Sequence, residues 1–180
     1  MKYSTINFNG NFSSARLEKR SNSFFKALVK NESVSIHKIS KNWADTMGNY
    51  RMFENKKVTI EGLKQGLTED CGRKAKCSHA LLIQDTTQPN YEKHRARIKP
   101  GSGLGVIGDD KSLGYFMHPT LVINPENGDV YGVSNVQTWI REEGRQKKPD
   151  WKRKEEPIEV KESYRWLDSI IQSKQVLSQC

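Results

Sequence analysis

The segment that most constrains the fold lies between residues 114 and 140. It contains the sequence NPENG, flanked by two runs rich in β-branched and aromatic residues, GYFMHPTLVI and DVYGVSNVQTWI. Asn-Gly between two such runs is the strongest short-range signal for a β-hairpin, because both residues adopt the positive φ of a tight turn. The pattern therefore predicts two antiparallel strands. Pro119 lacks an amide donor, so we expect a bulge or a late strand start there.

A third strand is predicted before this hairpin, at residues 79–84. This short apolar run leads directly into an acid, Asp85, and two threonines follow. With the hairpin, the run predicts a three-strand antiparallel meander. The acid at the end of an apolar strand needs an explanation, because a buried strand does not require one.

The rest of the second half is predicted to form two loops and a helix. Residues 92–112 are polar and Gly-rich, and no Gly-Lys-Ser/Thr sequence follows that would support a nucleotide-binding loop. Residues 141–158 are charged and show no periodicity. Residues 159–174 have the pattern of an amphipathic helix. Its apolar face is expected to contain Val160, Tyr164, Leu167, Ile170 and Ile171.

Three strands followed by a helix are the opening of a ribonuclease-H-like fold, in which an acid ends the first strand. Asp85 stands at that position. Mg²⁺ prefers carboxylate and phosphate oxygens as ligands. Two such ions activate the attacking oxygen and stabilise the leaving oxygen when a phosphodiester is cleaved. Asp85 is therefore a candidate metal ligand and a candidate catalytic residue.

The first half of the chain predicts short helices. Residues 11–30 combine an irregular apolar face with a basic side. Residues 35–59 contain two short helical patterns around a turn signal at Gly48-Asn49, and a third pattern follows them. We therefore expect a small helical bundle at residues 1–70.

Charge indicates the class of partner. The chain has a formal net charge of +9 and an isoelectric point near 9.5. Residues 1–70 contain twelve Lys and Arg against seven Asp and Glu, a net charge of +5. Such a balance indicates a polyanionic partner, most often nucleic acid and less often an anionic membrane. No apolar run approaches the roughly 18 residues of a membrane span, and no signal-peptide core is present, so we expect a cytoplasmic protein.

Cysteine usage does not indicate a disulfide framework. Cys71, Cys77 and Cys180 are an odd number in a chain without a secretion signal, which favours reduced thiols. Cys71, Cys77 and His79 do not match a structural zinc site either, because such a site needs four ligands at closer spacing.

Seven short motifs occur in the order found in a known protein family. They are FSSARLEKR, NYRMFEN, IQDTT, GLGVIG, the histidine of YFMHPTLVI, TWIR and ESYRWL. Each motif is weak alone, but the ordered set is specific. On these motifs the chain resembles, over nearly its whole length, the N-terminal part of a cut-and-paste insertion-sequence transposase of the DDE class, the type that excises DNA through hairpin ends.

The resemblance implies recognition of double-stranded transposon-end DNA and Mg²⁺-dependent DNA strand cleavage and transfer. Asp85 would be the first catalytic carboxylate and a metal ligand. Family members can form homodimers, and the expected location is the cytoplasm, in association with the nucleoid. Tyr50 and Phe53 are expected in the core of the helical module. The expected DNA-binding residues are Arg16, Lys19, Arg20, Arg51, Asn55 and Arg141.

The predicted architecture is an α/β chain in two parts. Residues 1–70 form a helical DNA-binding module, and residues 76–180 form an incomplete ribonuclease-H-like core with a three-strand antiparallel meander and a helix. The family's second aspartate and its glutamate are expected beyond that helix, and the sequence stops at Cys180. We therefore expect a truncated catalytic domain, in a chain that binds DNA but does not cleave it.

Other acids of the second half do not replace the missing ones. Asp109 and Asp110 lie in the Gly-rich segment and Asp168 lies on the predicted helix, so we expect structural roles for all three. Two alternatives remain open. A non-catalytic basic nucleic-acid-binding or regulatory protein would explain the charge, and an intact small nuclease would need a second acid at a strand end.

Overall fold

The computed structural model of the chain describes residues 6–75, 79–144 and 149–178. Cys77 and Cys180, which entered the predictions on thiols and zinc, lie outside the described residues. Cys71 is buried within the fourth helix of the chain.

The chain divides into two compact units, Met1–Lys74 and Ala75–Cys180. The first unit is helical and the second contains antiparallel sheet, so the predicted mixture of helix and antiparallel sheet is confirmed. The helices of the first unit are α1 Ala15–Asn31, α2 Ile36–Ile39, α3 Trp43–Phe53 and α4 Ile60–Lys74.

The first helix begins later than the sequence pattern predicts. A helix is expected over residues 11–30, whereas α1 begins at Ala15. Glu18 in its first turn explains the difference, because Glu18 Oε1 accepts hydrogen bonds from the amides of Gly10 at 2.9 Å and Phe12 at 3.4 Å. These amides are therefore held in a loop that folds back onto the start of α1.

The turn predicted at Gly48-Asn49 is wrong, because both residues lie inside α3. The chain breaks earlier, between α2 and α3. Asn42 caps α3 there, and its Oδ1 accepts a hydrogen bond from the Asp45 amide at 2.9 Å. The cap at Asn42 is thus the true boundary, and the glycine has a different role, described below.

The core of the first unit lies between α1, α2 and α3. Phe24, Ile39 and Met52 are 6%, 5% and 2% exposed and form its centre. Tyr50 and Phe53, which are expected in the core, are 44% and 40% exposed, so that prediction is wrong. Phe53 still makes an edge contact with Phe24, with ring centroids 5.0 Å apart.

Two glycines allow α4 to approach the N-terminal segment closely. A Cβ on Gly66 would lie 2.3 Å from the Phe8 ring, and one on Gly62 would lie 2.9 Å from the Asn11 carbonyl oxygen. Phe8 and Phe12 are 0% and 6% exposed and stack with centroids 5.9 Å apart. Any larger side chain at these two positions would push this aromatic pair away from α4.

The described part of the second unit contains five strands: β1 Leu81–Gln84, β2 Gly105–Val106, β3 Leu113–Gly114, β4 Phe116–Ile123 and β5 Val130–Trp139. Three of them form one antiparallel sheet in the order β1-β4-β5. The predicted hairpin between β4 and β5 is confirmed, and the Gly128 amide donates to the Asn124 carbonyl across its turn at 2.9 Å. Among the described residues β1 pairs with β4 alone, so it is an edge strand.

Pro119 lies inside β4 rather than at its start. It pairs with Val136 of β5 without a shift, so the prediction of a late strand start is wrong. The first irregularity in the β4–β5 register comes just afterwards, between Thr120 and Leu121. The expected bulge is therefore present one residue beyond the proline.

Both segments predicted as loops contain short elements. Residues 92–112 include a 3₁₀ helix, Glu92–Arg97, and β2, which pairs with β3 in a separate two-stranded sheet. Residues 141–158 include helix α5, Asp150–Glu155. Elements this short do not complete enough periods to be recognised in a sequence.

The last helix, α6 Tyr164–Ser178, packs on the sheet through a face that the sequence does not predict. Leu167, Ile170 and Ile171 are 47%, 48% and 50% exposed, so the predicted apolar face is wrong. Ser169 and Ser173 are fully buried instead. Their hydroxyls bond to β5, where Asn135 Nδ2 donates to Ser169 at 3.1 Å and the Ser134 hydroxyl lies 2.8 Å from that of Ser173.

Candidate nucleic-acid interface

Two open clefts lie on the helical unit and share two arginines, Arg16 and Arg20. Cleft A has a volume of about 330 Å³ and lies between α1 and the region where α2 gives way to α3. Cleft B has a volume of about 410 Å³ and lies between α1, α3 and the turn that follows α3. Each cleft is large enough to accept several atoms of an extended ligand.

Basic side chains dominate the charged lining of both clefts. Asp45 is the acid among the lining residues of cleft A, and cleft B is lined by no carboxylate. The basic lining residues of cleft A are Arg16, Lys19, Arg20 and Lys41. Those of cleft B are Arg16, Arg20, Arg51 and Lys57. Concave surfaces of one charge raise the local concentration of ligands of the opposite charge.

The structure brings together the DNA-binding residues predicted in the first unit. Arg16, Lys19 and Arg20 come from successive turns of α1, and Arg51 comes from the last turn of α3. Arg16, Lys19 and Arg51 are exposed. Within the described residues none of these three has an ion-pair partner, so their charges face the clefts unneutralised.

Asn55 also lines cleft B, but its side chain has a local role as well. Its Oδ1 accepts a hydrogen bond from the Lys57 amide at 3.0 Å, as in an Asx turn. This turn places Lys57 beside Asn55 at the rim of the cleft. The side-chain amide of Asn55 keeps its donor group for a ligand.

Two lysines of the clefts, Lys41 and Lys57, were not recognised as candidates from the sequence. Each lies next to a turn-forming residue, since Lys41 precedes the helix cap Asn42 and Lys57 follows Asn55 by two positions. Asparagines that cap or turn the chain fix the backbone of nearby residues. Their presence beside a lysine was the signal in the sequence that could have identified both.

Arg20 differs from the other basic residues because α3 holds its guanidinium. Arg20 Nη1 donates to Asp45 Oδ1 at 2.8 Å and to Asn49 Oδ1 at 3.1 Å. The side chain is 36% exposed. Arg20 is thus both a link between α1 and α3 and part of the lining of both clefts.

Asp45 is fixed as an anion beside Arg20. A hydrogen bond from the Lys41 amide, at 3.1 Å to Asp45 Oδ2, is the largest cause that lowers the pKa of this carboxyl. Burial opposes this effect and is the second-largest influence on the pKa, and the hydrogen bond and charge of Arg20 lower the pKa further. Asp45 therefore neutralises part of the Arg20 charge and orients the guanidinium.

Arg141, the sixth predicted DNA-binding residue, belongs to the second unit and is paired there. Its Nε donates to Glu162 Oε1 at 2.7 Å, its Nη2 also pairs with Glu162, and its Nη1 lies 3.9 Å from Asp110 Oδ1. The guanidinium also lies 4.5 Å from the centre of the Phe116 ring. These contacts tie the end of β5 to neighbouring segments, so the structure gives Arg141 a packing role in its own unit.

Asp85 directly follows β1, as the sequence predicts, and its side chain is exposed. The reason why β1 ends there lies in its partner strand. Continuing the register of β1 and β4 places Asp85 opposite Pro119. Thr87 and Met117 exchange two backbone hydrogen bonds of 2.9 Å, so the next hydrogen-bonded pair along an antiparallel ladder is Asp85 with Pro119. Pro119 has no amide hydrogen, and the ladder breaks at the acid.

The residues beside Asp85 are held by a buried histidine of β4, His118. Its Nε2 donates to Gln84 Oε1 at 2.9 Å, and its Nδ1 accepts from the Thr86 hydroxyl at 2.8 Å. The Asp85 carboxylate itself accepts a hydrogen bond from the Thr86 amide at 2.8 Å. The two neighbours of the acid are therefore fixed, while its carboxylate points to solvent.

The acids of the second unit do not converge on Asp85. The part of the chain that the structure describes contains no group of three or more His, Cys, Asp or Glu side chains that could hold a metal ion. Hydrogen bonds from the Ser112 hydroxyl and from backbone amides lower the pKa of Asp109 to about 2. Asp168 accepts hydrogen bonds from Gln137 and Gln172 at 2.8 Å and 2.7 Å. Both acids thus stabilise local structure.

Comparison with known proteins finds a similarity within the helical unit. No curated protein matches the chain, and no helix of the described residues is long and apolar enough to cross a membrane. Residues 7–58 match the family model described as transposase DNA-binding. This range contains every lining residue of clefts A and B. The match supports a transposase whose helical unit carries the DNA-binding domain.

Proposed function

We propose that the helical unit binds double-stranded transposon-end DNA through clefts A and B. The observation that carries this proposal is the coincidence of two independent features. The residues that match the transposase DNA-binding family are also those that assemble the basic clefts. The basic residues that line the two clefts are Arg16, Lys19, Arg20, Lys41, Arg51 and Lys57.

The exposed cations would supply most of the affinity. Contacts from Arg and Lys to phosphate release condensed counterions, so binding weakens steeply as salt is added. Arg16 of α1 and Arg51 in the last turn of α3 both line cleft B. Both side chains are therefore candidates for contacts with the phosphates of one bound duplex.

The test replaces Arg16 and Arg51 together with alanine in the full chain. Binding to a labelled mixed-sequence duplex, followed by fluorescence anisotropy, should weaken on the order of tenfold for each lost charged hydrogen bond. Lys30→Ala with Lys38→Ala is the matched control, because both lysines are exposed and neither lines a cleft. Equal losses in the two double variants would show that net charge alone binds the DNA and would contradict the proposal.

The non-catalytic basic or regulatory protein is not favoured by the family match, which is to a transposase domain. Selection from a library of random duplexes separates the two functions. A transposase that recognises its ends should enrich one sequence, and Arg16→Ala with Arg51→Ala should lose that enrichment. Binding without enrichment would favour the alternative.

For the second unit we propose membership of the DDE class with a ribonuclease-H-like core of the hairpin-forming type. The support is the antiparallel order β1-β4-β5, the helix α6 against it, and Asp85 directly after β1. Mg²⁺ would be the cofactor in such a core, with Asp85 as one ligand. The described residues do not bring enough further ligands to Asp85 to fit that ion, so no catalytic step follows from this arrangement.

A further inference from the structure

The centre of the DNA-binding surface contains a contact between a glycine and an arginine. A Cβ built on Gly48 would lie 2.9 Å from Cζ, Nη1 and Nη2 of Arg20 alike, and no other residue is among its nearest neighbours. Real Cβ atoms do not approach other atoms this closely. The guanidinium of Arg20 therefore occupies the space that any other residue at position 48 would fill.

Hydrogen bonds fix the guanidinium in that place. Its Nη1 donates hydrogen bonds to Asp45 and Asn49, which lie one turn apart on α3, the helix that contains Gly48. Asn49 is 4% exposed, and its Nδ2 donates to the Ser40 hydroxyl at 3.1 Å. Asn49 therefore cannot turn away without leaving a buried polar group unsatisfied.

The same guanidinium keeps a free edge. Among the described residues, the hydrogen bonds of this guanidinium use Nη1, and Nε and Nη2 make none. Arg20 lines cleft A and cleft B. Arginine presents its donors in a rigid fork that matches two oxygens of one phosphate, provided that the plane of the guanidinium is held correctly.

We propose that Gly48, Asp45 and Asn49 are positioning residues that hold the Arg20 guanidinium against α3, so that Arg20 is a preorganised phosphate anchor between the two clefts. This proposal rests on the proposed function of the helical unit. A side chain that is already ordered loses less conformational freedom when it binds, which favours affinity. Gly48 leaves room for the Arg20 guanidinium because glycine has no Cβ, and it does not form a turn.

Gly48→Ala in the full chain tests the proposal, with binding to a labelled mixed-sequence duplex as the readout. The added methyl group should displace the guanidinium from Asp45 and Asn49 and weaken DNA binding on the order of tenfold, as expected for one charged hydrogen-bonded contact. Alanine favours a helix interior more than glycine does, which offsets part of the stability lost with the Arg20 link between α1 and α3, so affinity is measured on the folded fraction. A glycine needed only for folding would show a lower melting temperature with unchanged affinity in the folded fraction.

Arg20→Ala and the double variant, which combines Arg20→Ala with Gly48→Ala, complete a double-mutant cycle. If Gly48 acts through Arg20, Gly48→Ala should cause no further loss of affinity in the Arg20→Ala background. Should Gly48→Ala alone fail to fold, recovery of folding by Arg20→Ala would equally show that the guanidinium is fixed over Gly48. Wild-type affinity of Gly48→Ala, or the same loss in both backgrounds, would overturn the proposal. Failure of the proposed function looks different, since Arg16→Ala with Arg51→Ala would then bind as its lysine control does.

Discussion

At the scale of single residues, His118 shows how burial decides the role of a titratable group. It is fully buried, and its ring makes an edge contact with Trp166 of α6 at 4.7 Å between centroids. Burial is the largest effect on its pKa and lowers it below the usual value of 6.5, against a smaller opposing effect of the Asp85 charge. His118 is therefore a neutral structural group that fixes Gln84 and Thr86, rather than a base for chemistry.

This shift predicts that acid destabilises the second unit. Because the pKa of His118 is lower in the folded state, the unfolded state binds the proton first. The stabilisation should be complete above the unfolded value of 6.5 and be lost as the pH falls through the lower folded value. Urea unfolding followed by tryptophan fluorescence, from about pH 8 to about pH 5, should show this loss.

His118→Gln should flatten that pH dependence, because glutamine has no proton to gain in this range. His94→Gln is the matched control, since His94 is an exposed histidine of the same unit. The comparison uses the slope with pH rather than the absolute free energy of unfolding, because the first substitution also changes packing. If His94→Gln changed the dependence of the free energy of unfolding on pH and His118→Gln did not, the acid sensitivity would not come from His118.

At the scale of elements, the end of β1 is set by the strand beside it. Asp85 leaves the ladder because the residue opposite it, Pro119, cannot donate a hydrogen bond. The position of the acid is thus determined by a proline 34 positions later in the sequence. A ladder interrupted in this way presents the carboxylate to solvent at the sheet edge.

Pro119→Ala should extend the pairing of β1 and β4 by one hydrogen bond. The new amide at position 119 lies opposite the Asp85 carbonyl, so it should exchange slowly with solvent deuterium. Amide exchange measured by NMR on the full chain checks this. Pro125→Ala is the control, because Pro125 lies in the exposed hairpin turn, where its new amide should exchange fast. Fast exchange at both positions would mean that β1 ends for another reason.

Elements formed by interactions between residues close in sequence were predictable, and those formed by contacts distant in sequence were not. The β4–β5 hairpin was predictable because Asn127-Gly128 and its flanking strands lie within one local pattern. The position of Asp85 at the end of a strand was predictable from the apolar run before it. The cap at Asn42 is also a local signal, but the prediction placed the break at Gly48 because glycine is the more familiar turn residue.

The packing of α6 was not predictable from its own pattern. A helix with an apolar stripe is expected to bury it, yet α6 buries Ser169 and Ser173. The hydroxyls find partners in Ser134 and Asn135, which stand on another element 34 to 39 positions away in sequence. Buried polar groups are stable when they are paired, and such pairs depend on contacts that one element does not reveal. The same holds for Gly48, whose role depends on Arg20 of another helix.

At the scale of the whole molecule, the basic clefts and the candidate metal ligand Asp85 belong to different units. The basic clefts lie in the unit Met1–Lys74, and Asp85 lies in the unit Ala75–Cys180. The net charge of +9 gives the whole chain a general attraction to polyanions. The proposed DNA-binding site adds to this general attraction a local arrangement of Arg16, Arg20 and Arg51.

This separation predicts that DNA affinity does not require Asp85 or Mg²⁺. In EDTA the wild-type chain should still bind a mixed-sequence duplex, and Asp85→Asn should bind it no more weakly, because phosphate contacts from Arg and Lys need no metal. Removing one acid from a basic chain slightly increases its general attraction to DNA. Glu126→Gln, at an exposed position of the hairpin turn, provides the matched correction for that effect.

A salt titration then gives the number of phosphate contacts, since each contact contributes about 0.9 to the slope of log affinity against log salt. The slope should be the same for wild type, Asp85→Asn and Glu126→Gln, and should be lower by about 1.8 for Arg16→Ala with Arg51→Ala if each arginine neutralises one phosphate. A slope in Asp85→Asn that differs from that of Glu126→Gln would show that DNA or its bound cations reach the second unit, and the separation of roles would be wrong.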